Sequence, residues 1–295
     1  MTIFKGSGVA LVTPFQNDGV NYHSLRNLID WHIDQGTDAL IVCGTTGESA
    51  TLSRQEKQSV ISSAVEHAAG RIPVVAGTGG NNTAESAELS RFAADAGADA
   101  LLLVTPYYNK ATQNGLVTHF ASIADSAGIP CILYNVPGRT GLNMKPETVA
   151  RLAQHPLICG IKEASGDISQ IARVAHLCPG DFALYAGNDD QIVPTLSLGG
   201  VGVISVVANV LPRQTHELVH LYLDGMTREA RELQLAMLPL IDALFCEVNP
   251  IPVKAALNLM GHQAGALRAP LSEIEADSQA SLIRELHVWG LVNAE

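Results

Sequence analysis

Lys162 stands at the end of the apolar run Ile158-Cys159-Gly160-Ile161 and is followed by Glu163-Ala164-Ser165-Gly166-Asp167. The run reads as a buried strand, and the residues after it read as a turn. An ammonium group there sits where the chain leaves an apolar interior. Desolvation favours the neutral amine, the form that attacks a carbonyl carbon. A plainer role is an ion pair with a carboxylate at the strand end. Other residues with acid–base or anion-binding chemistry follow similar apolar runs: Thr45 and Thr46, Tyr107 and Tyr108, Tyr134, and Arg139. Such a set suits formation of a carbanion beside a carbonyl group. Lys162 would form a Schiff base, Tyr134 would shuttle protons, and Thr45 with Tyr108 would relay them. Arg139 offers a planar fork that takes a carboxylate bidentately. Singly, each has a bland alternative: the threonines cap a turn, the tyrosines fill a core or interface, and Arg139 is a solvated loop charge.

The elements that must position these residues come from a repeated unit. Gly36-Thr37-Asp38-Ala39-Leu40-Ile41-Val42-Cys43 returns as Gly97-Ala98-Asp99-Ala100-Leu101-Leu102-Leu103-Val104, and looser copies begin at Arg71 and Gly128. Each copy is a turn followed by a short continuous apolar run, the pattern of a parallel strand buried on both faces. Eight such runs begin near Gly8, Ala39, Pro73, Ala100, Cys131, Ile158, Phe182 and Val201. Helical periodicity lies between most of them, at 22–35, 53–68, 83–96, 115–126, 145–154 and 168–176. The second of these opens with Ser53-x-x-Glu56, a capping box. Alternation at this spacing predicts a (β/α)8 TIM barrel. A doubly wound sheet is the alternative, but the first strand is followed by no glycine-rich phosphate fingerprint, and Gly77-Thr78-Gly79-Gly80 lacks its spacing. In a barrel the strand C-termini share one face. That rule gathers Thr45, Thr46, Tyr107, Tyr108, Tyr134, Arg139 and Lys162, and adds Gly187 to Asp190 and Ile204-Ser205. The adjacent Asp189 and Asp190 read as charges at the start of the seventh helix rather than as metal ligands.

After about Leu211 the pattern changes, and residues 212–295 read as wholly helical, with breaks at Pro239, Asn249-Pro250-Ile251-Pro252, Gly261 and Pro270. The expected organisation is a barrel over 1–224 and a C-terminal helical appendix over 225–295. A net charge of −11 argues against nucleic acid or an anionic membrane as partner. No apolar segment reaches membrane-spanning length, and the N-terminus carries no signal-peptide pattern, so a cytoplasmic protein is expected. Five widely spaced cysteines suit reduced thiols. His216-Glu217-Leu218-Val219-His220 matches the H-E-x-x-H pattern of zinc proteases. It falls in the helix after the eighth strand, outside the expected barrel, with no third ligand evident downstream. No metal is therefore expected at the active site.

Six ordered blocks resemble the dihydrodipicolinate synthase (4-hydroxy-tetrahydrodipicolinate synthase) family of pyruvate-dependent Schiff-base aldolases. They are Gly44-Thr45-Thr46-Gly47-Glu48, Val104-Thr105-Pro106-Tyr107-Tyr108-Asn109, Tyr134-Asn135-Val136-Pro137-Gly138-Arg139-Thr140-Gly141, Gly160-Ile161-Lys162-Glu163-Ala164, Gly202-Val203-Ile204-Ser205-Val206 and Asn249-Pro250-Ile251-Pro252-Val253-Lys254. The resemblance implies a lyase of lysine and diaminopimelate biosynthesis that condenses pyruvate with L-aspartate semialdehyde. It makes Lys162 the imine-forming residue, Tyr134 the general acid/base linked through Thr45 to Tyr108, and Thr46 the holder of the pyruvate carboxylate. It gives Arg139 the semialdehyde carboxylate and places Gly187 and the Ile204 carbonyl at the substrate site. Tyr108 is expected to enter from an adjacent subunit of a homotetramer, and no metal or organic cofactor is implied. Related aldolases acting on another aldehyde or a sugar acid share the lysine and tyrosine, and the Gly-Arg-Thr-Gly block favours the synthase. A barrel that binds without catalysis is a further alternative, opposed by the intact set.

Many members of the family are inhibited by lysine at a subunit interface. Ser49, Ala50, Asn81, Glu85 and Tyr107 match that pocket, whereas Arg54 and Lys57 replace two histidines of the lysine-sensitive bacterial type. Fixed positive charge there would repel the ligand's ammonium groups, so weak or absent feedback is expected.

Overall fold

The apolar runs form β1 (Gly6–Ala10), β2 (Ala39–Val42), β3 (Val74–Gly77), β4 (Ala100–Val104), β5 (Cys131–Asn135), β6 (Ile158–Glu163), β7 (Ala183–Ala186) and β8 (Gly202–Ser205). In this computed structural model, which describes residues 2–293, each pairs in parallel with the next and β8 returns to β1. The result is the closed barrel that the alternation predicts. Side chains alternate between two apolar layers, as the strand period requires. Ile41, Val75, Leu102, Ile132, Tyr185 and Ile204 fill the interior. Leu40, Val42, Leu101, Leu103, Leu133 and Ile161 face the helices.

Those helices are α1 (Tyr22–Asp34), α2 (Arg54–Ala68), α3 (Thr83–Asp95), α4 (Gln113–Ala127), α5 (Pro146–Leu152), α6 (Ile168–Leu177), α7 (Ile192–Ser197) and α8 (Pro212–Leu223). Polar side chains fix several starts. Asn21, Asn82, Thr112 and Asp167 accept from first-turn amides, and Ser53 with Glu56 closes the expected capping box. A cap of this kind stabilises a helix by about 1 kcal/mol. Among the described residues, no helix is long and apolar enough to cross a membrane.

The C-terminal region departs from the wholly helical expectation. It contains α9 (Thr227–Leu244), α10 (Ile251–Leu259) and α11 (Ala276–Val288), but the chain between α10 and α11 is not helical. Gly261 and Gly265 there take positive φ, and the Asn258 side chain bonds both backbone groups of Gly265. Pro239 does not break α9. It lies on the exposed face, so water can take the carbonyl that loses its helical partner, while Met237, Leu240, Ile241 and Leu244 are buried opposite. Residues 294 and 295, the end of the expected helical stretch, lie outside the described residues. A short antiparallel pair, Phe15–Gln16 with Gly19–Val20, was not expected. Two-residue strands are too short to show a period. The apolar layer outside the barrel runs on without a break into Val253, Leu257, Leu282 and Leu286.

Candidate active site

Lys162 and Tyr134 are register partners on β6 and β5. Their register depends on a bulge: Cys131 faces Ile158 but Ile132 faces Gly160, leaving Cys159 as an extra residue. Cys159 points inward and Ile161 outward. Strict alternation from Cys159 would turn Lys162 outward, and the extra residue returns it to the interior. There Lys162 Nζ lies 4.5 Å from the centroid of the Tyr134 ring, with the two residues 5% and 7% exposed. Gly160 allows the close approach of β7, since a Cβ at that position would sit 2.5 Å from the Ala183 carbonyl oxygen.

Glu163 turns away from Lys162. Its carboxylate accepts from Asn135 Nδ2 at 3.1 Å, from the Ser165 amide at 2.8 Å and from Gln170 Nε2 at 3.2 Å. Burial pushes its pKa up, and these hydrogen bonds oppose the push. The neighbouring carboxylate is thus held by neutral donors. Asp189 corrects the expectation of a helix-start charge. Although it opens a short turn of helix, its Oδ2 accepts from the Val206 and Val207 amides at 3.0 and 2.8 Å and so ties the end of β7 to the end of β8. Burial raises the Asp189 pKa, while the Ser205 hydroxyl, those amides and the charge on Lys162 oppose the rise.

The loop after β2 presents Thr45 and Thr46. Glu48 takes φ +53 there, and the Thr13 hydroxyl donates to the Gly47 carbonyl at 2.7 Å. Thr46 is buried, and its Oγ1 accepts from Asn249 Nδ2 at 3.0 Å, which leaves the hydroxyl proton to donate elsewhere. Lys254 Nζ meets Glu48 Oε1 at 2.7 Å with both side chains 1% exposed, and it also donates to the Ala266 carbonyl at 2.8 Å. Burial lowers the Lys254 pKa and Glu48 opposes that shift. The second carboxylate oxygen of Glu48 accepts from the Arg268 amide at 3.0 Å. Sequence pattern alone does not single out Asn249, Lys254 and Arg268, although the block 249–254 carries part of the family resemblance.

Arg139 is offered by a single turn, Pro137–Thr140. Thr140 anchors that turn, with its Oγ1 accepting from Thr105 Oγ1 at 3.2 Å and donating to the Leu142 carbonyl at 3.0 Å. A cavity of about 410 Å³ is lined by Thr45, Tyr134 and Arg139. The same cavity reaches Ser49, Ala50, Lys57, Asn81, Glu85 and Tyr107. Arg54 is not among its walls and pairs with Glu88 at 2.6 Å, so Lys57 is the cation of the two that faces the cavity. Gly187 closes against β6: its amide donates to the Glu163 carbonyl at 2.8 Å, and a Cβ would sit 2.5 Å from that of Ala164. Ile204 is fully buried on the inner face of β8. Lys162, Thr46, Gly187 and Ile204 lie outside this lining as well, and Tyr108 differs from them in being exposed. It is 91% exposed, at φ +71, and does not line the cavity.

All five cysteines are free thiols. Among the described residues, one group of three metal-capable side chains occurs, Asp38 with His216 and His220, remote from this cavity.

The family model of the dihydrodipicolinate synthetase family matches residues 3–288. A protein of Thermoanaerobacter sp. (strain X514) named 4-hydroxy-tetrahydrodipicolinate synthase is 55% identical over 293 residues, covering 99% of this chain and 99% of its own. The crystal structure of dihydrodipicolinate synthase from Thermotoga maritima matches with a TM-score of 0.97 at 44% identity, over 99% of this chain and 100% of that one. The enzyme from Cyanidioschyzon merolae, solved with lysine bound, gives 0.96 at 41% identity, over 99% and 100% of the two chains.

Proposed function

The chain belongs to the dihydrodipicolinate synthetase family, and we propose that it is the lyase that condenses pyruvate with L-aspartate semialdehyde to 4-hydroxy-tetrahydrodipicolinate, in the biosynthesis of diaminopimelate and lysine. The observation that carries this reading is the Lys162–Tyr134 pair, with an amine 4.5 Å from a phenol ring inside the mouth of the barrel.

Each residue then has a chemical task. Lys162, once its ammonium has given up a proton, attacks the keto carbon of pyruvate, and loss of water leaves an imine. Withdrawal of electrons into the imine acidifies the methyl group, whose proton leaves to give an enamine. The enamine carbon attacks the aldehyde carbon of the second substrate, and the aldehyde oxygen takes up a proton. Tyr134 moves these protons, with Thr45 beside it on the same cavity wall. The amine of the acceptor then displaces Lys162 as the ring closes. The Thr46 hydroxyl, free to donate because Asn249 occupies its lone pair, holds the pyruvate carboxylate. Arg139 takes the carboxylate of the semialdehyde. Gly187 and the Ile204 carbonyl complete the pyruvate end.

Tyr108 is assigned to the active site of a neighbouring subunit, where it ends the proton relay that begins at Tyr134 and Thr45. Supporting this are its 91% exposure and its φ of +71, a conformation that costs a non-glycine residue about 1 kcal/mol or more. The catalytic set then needs at least a dimer, and a homotetramer is the assembly we propose. For the effector pocket we propose weak or absent inhibition by lysine, resting on the Lys57 ammonium at the cavity wall.

The test is pyruvate consumption by the purified protein given L-aspartate semialdehyde, beside an Arg139→Ala control. Rapid turnover that collapses in the control supports the reading. Absence of turnover with this aldehyde, when pyruvate still reacts at Lys162, would reject the substrate assignment.

A further inference from the structure

At the end of the barrel opposite the cavity, α8 sets His216 and His220 one turn apart over Asp38, the residue before β2. His216 Nδ1 lies 2.9 Å from Asp38 Oδ2, and His220 Nε2 lies 3.2 Å from Asp38 Oδ1. The imidazole rings are 4.1 Å apart, and the three candidate ligand atoms all fall within 4.8 Å of one another. The sequence pattern H-E-x-x-H thus finds its third donor upstream of itself, 178 residues from His216.

The carboxylate is held in place from behind. Its Oδ2 accepts from the Ser7 amide at 2.7 Å, and Gly6 leaves the space the carboxyl group fills, since a Cβ there would overlap it at 2.1 Å. Strand pairing accounts for the aspartate but not for the imidazoles. Asp99, at the matching place in the sequence repeat, makes the same bond to the Val74 amide at 2.8 Å, and the strands pair there in the same way.

We propose that Asp38, His216 and His220 bind a divalent transition-metal ion of the zinc class. Two imidazole nitrogens and a carboxylate oxygen select such ions over magnesium or calcium. Ligand bonds of about 2.1 Å in a tetrahedral shell place ligand atoms about 3.4 Å apart; the imidazole nitrogens lie 2.9 and 3.2 Å from the two carboxylate oxygens and the three donors lie within 4.8 Å of one another, so side-chain rotation must close the shell around the ion. When the ion binds, the facing nitrogens are unprotonated, and the ring protons sit on His216 Nε2 and His220 Nδ1. The Ser7 amide supplies the orienting outer contact to the carboxylate. The side chains of His216 and His220 are 33% and 36% exposed, which leaves room for water in the remaining position. Glu217 faces solvent, away from the buried side of α8, so the site carries no hydrolytic base. The ion would cross-link α8 to the β1–β2 seam and stabilise the folded chain by mass action. This site is independent of the aldolase reading.

Metal-stripped protein is titrated with Zn²⁺ by calorimetry, with Co²⁺ absorption and thermal unfolding as second readouts, in wild type, His220→Gln and Cys246→Ser. The wild type should bind one equivalent, the Co²⁺ form should show d–d bands without a thiolate charge-transfer band, and Zn²⁺ should raise Tm. In His220→Gln affinity should fall about tenfold or more and the rise in Tm should shrink accordingly, with condensation activity unchanged. Cys246→Ser, at the exposed cysteine, should bind as wild type does. Failure of the wild type to bind one equivalent would overturn the proposal, as would equal binding by His220→Gln or loss of binding in Cys246→Ser. Each of those results would leave the three side chains a hydrogen-bonded clamp.

Discussion

Asn249 donates its side-chain amide to Thr46 Oγ1 at 3.0 Å, joining the turn between α9 and α10 to the loop after β2 across 203 residues of sequence. The C-terminal region therefore reaches the loop after β2 and orients the hydroxyl that we propose holds the pyruvate carboxylate. Replacing Asn249 by alanine should free the Thr46 hydroxyl to rotate. Loss of one such bond, about 1 kcal/mol, should raise KM for pyruvate several-fold, with kcat less affected. Steady-state kinetics on a variant whose circular dichroism matches wild type would check it. An unchanged KM would remove Asn249 from the site.

The Lys254–Glu48 pair makes a second tie between the same two parts of the chain, and here the effect is on stability. Both side chains are almost wholly buried, so Lys254→Met leaves a buried carboxylate without its cation. Destabilisation of about 3–5 kcal/mol is expected, with part of it recovered in the Lys254→Met/Glu48→Gln double variant. Denaturant unfolding of wild type, Lys254→Met and the double variant measures both effects. Equal stability of wild type and Lys254→Met would contradict this.

The Glu56–Arg268 contact is expected to act on pH dependence. Hydrogen bonding from Arg268 is the largest influence holding the Glu56 carboxyl down to about 2, against an ordinary 4.5. A depressed folded pKa means that the unfolded chain binds the proton more tightly. The stabilisation is then complete above about 4.5 and is lost as pH falls towards about 2. The stability gap between wild type and Arg268→Met should narrow as pH is lowered from neutrality through that window. A gap constant with pH would show that Arg268 acts by packing on the Phe15 ring, 4.2 Å from its guanidinium, rather than through Glu56.

L-Lysine at millimolar concentration should leave turnover nearly unchanged, because Lys57 lines the cavity while Arg54 is engaged with Glu88. Lys57→His should increase sensitivity. Strong inhibition of the wild type, or a histidine variant with unaltered response, would refute the role given to Lys57.

The barrel is legible in the sequence because its signals are local. A turn followed by four or five apolar residues marks each strand, and Ser53 with Glu56 marks a helix start within one turn. The meeting of Thr45, Tyr134 and Arg139 on one cavity, and of Lys162 with Tyr134, follows from the same logic, since strand ends in a barrel share a face. What stayed hidden depends on distant partners. Asp189 turns to amides at 206 and 207 instead of serving its own helix, and Lys254 finds Glu48 from the far end of the chain. Asp38 completes the histidine pair from upstream, where a search for a downstream ligand does not look. The bulge at Cys159 is also invisible to a period-two pattern, yet it sets which way Lys162 points.

The central claim is that Lys162 is the residue on which pyruvate is activated. Borohydride reduction of the protein with pyruvate, followed by peptide mass spectrometry, tests it directly. The expected result is one reduced pyruvate adduct on the peptide containing Lys162, lost in Lys162→Ala. No adduct, or an adduct confined to another lysine, would contradict it.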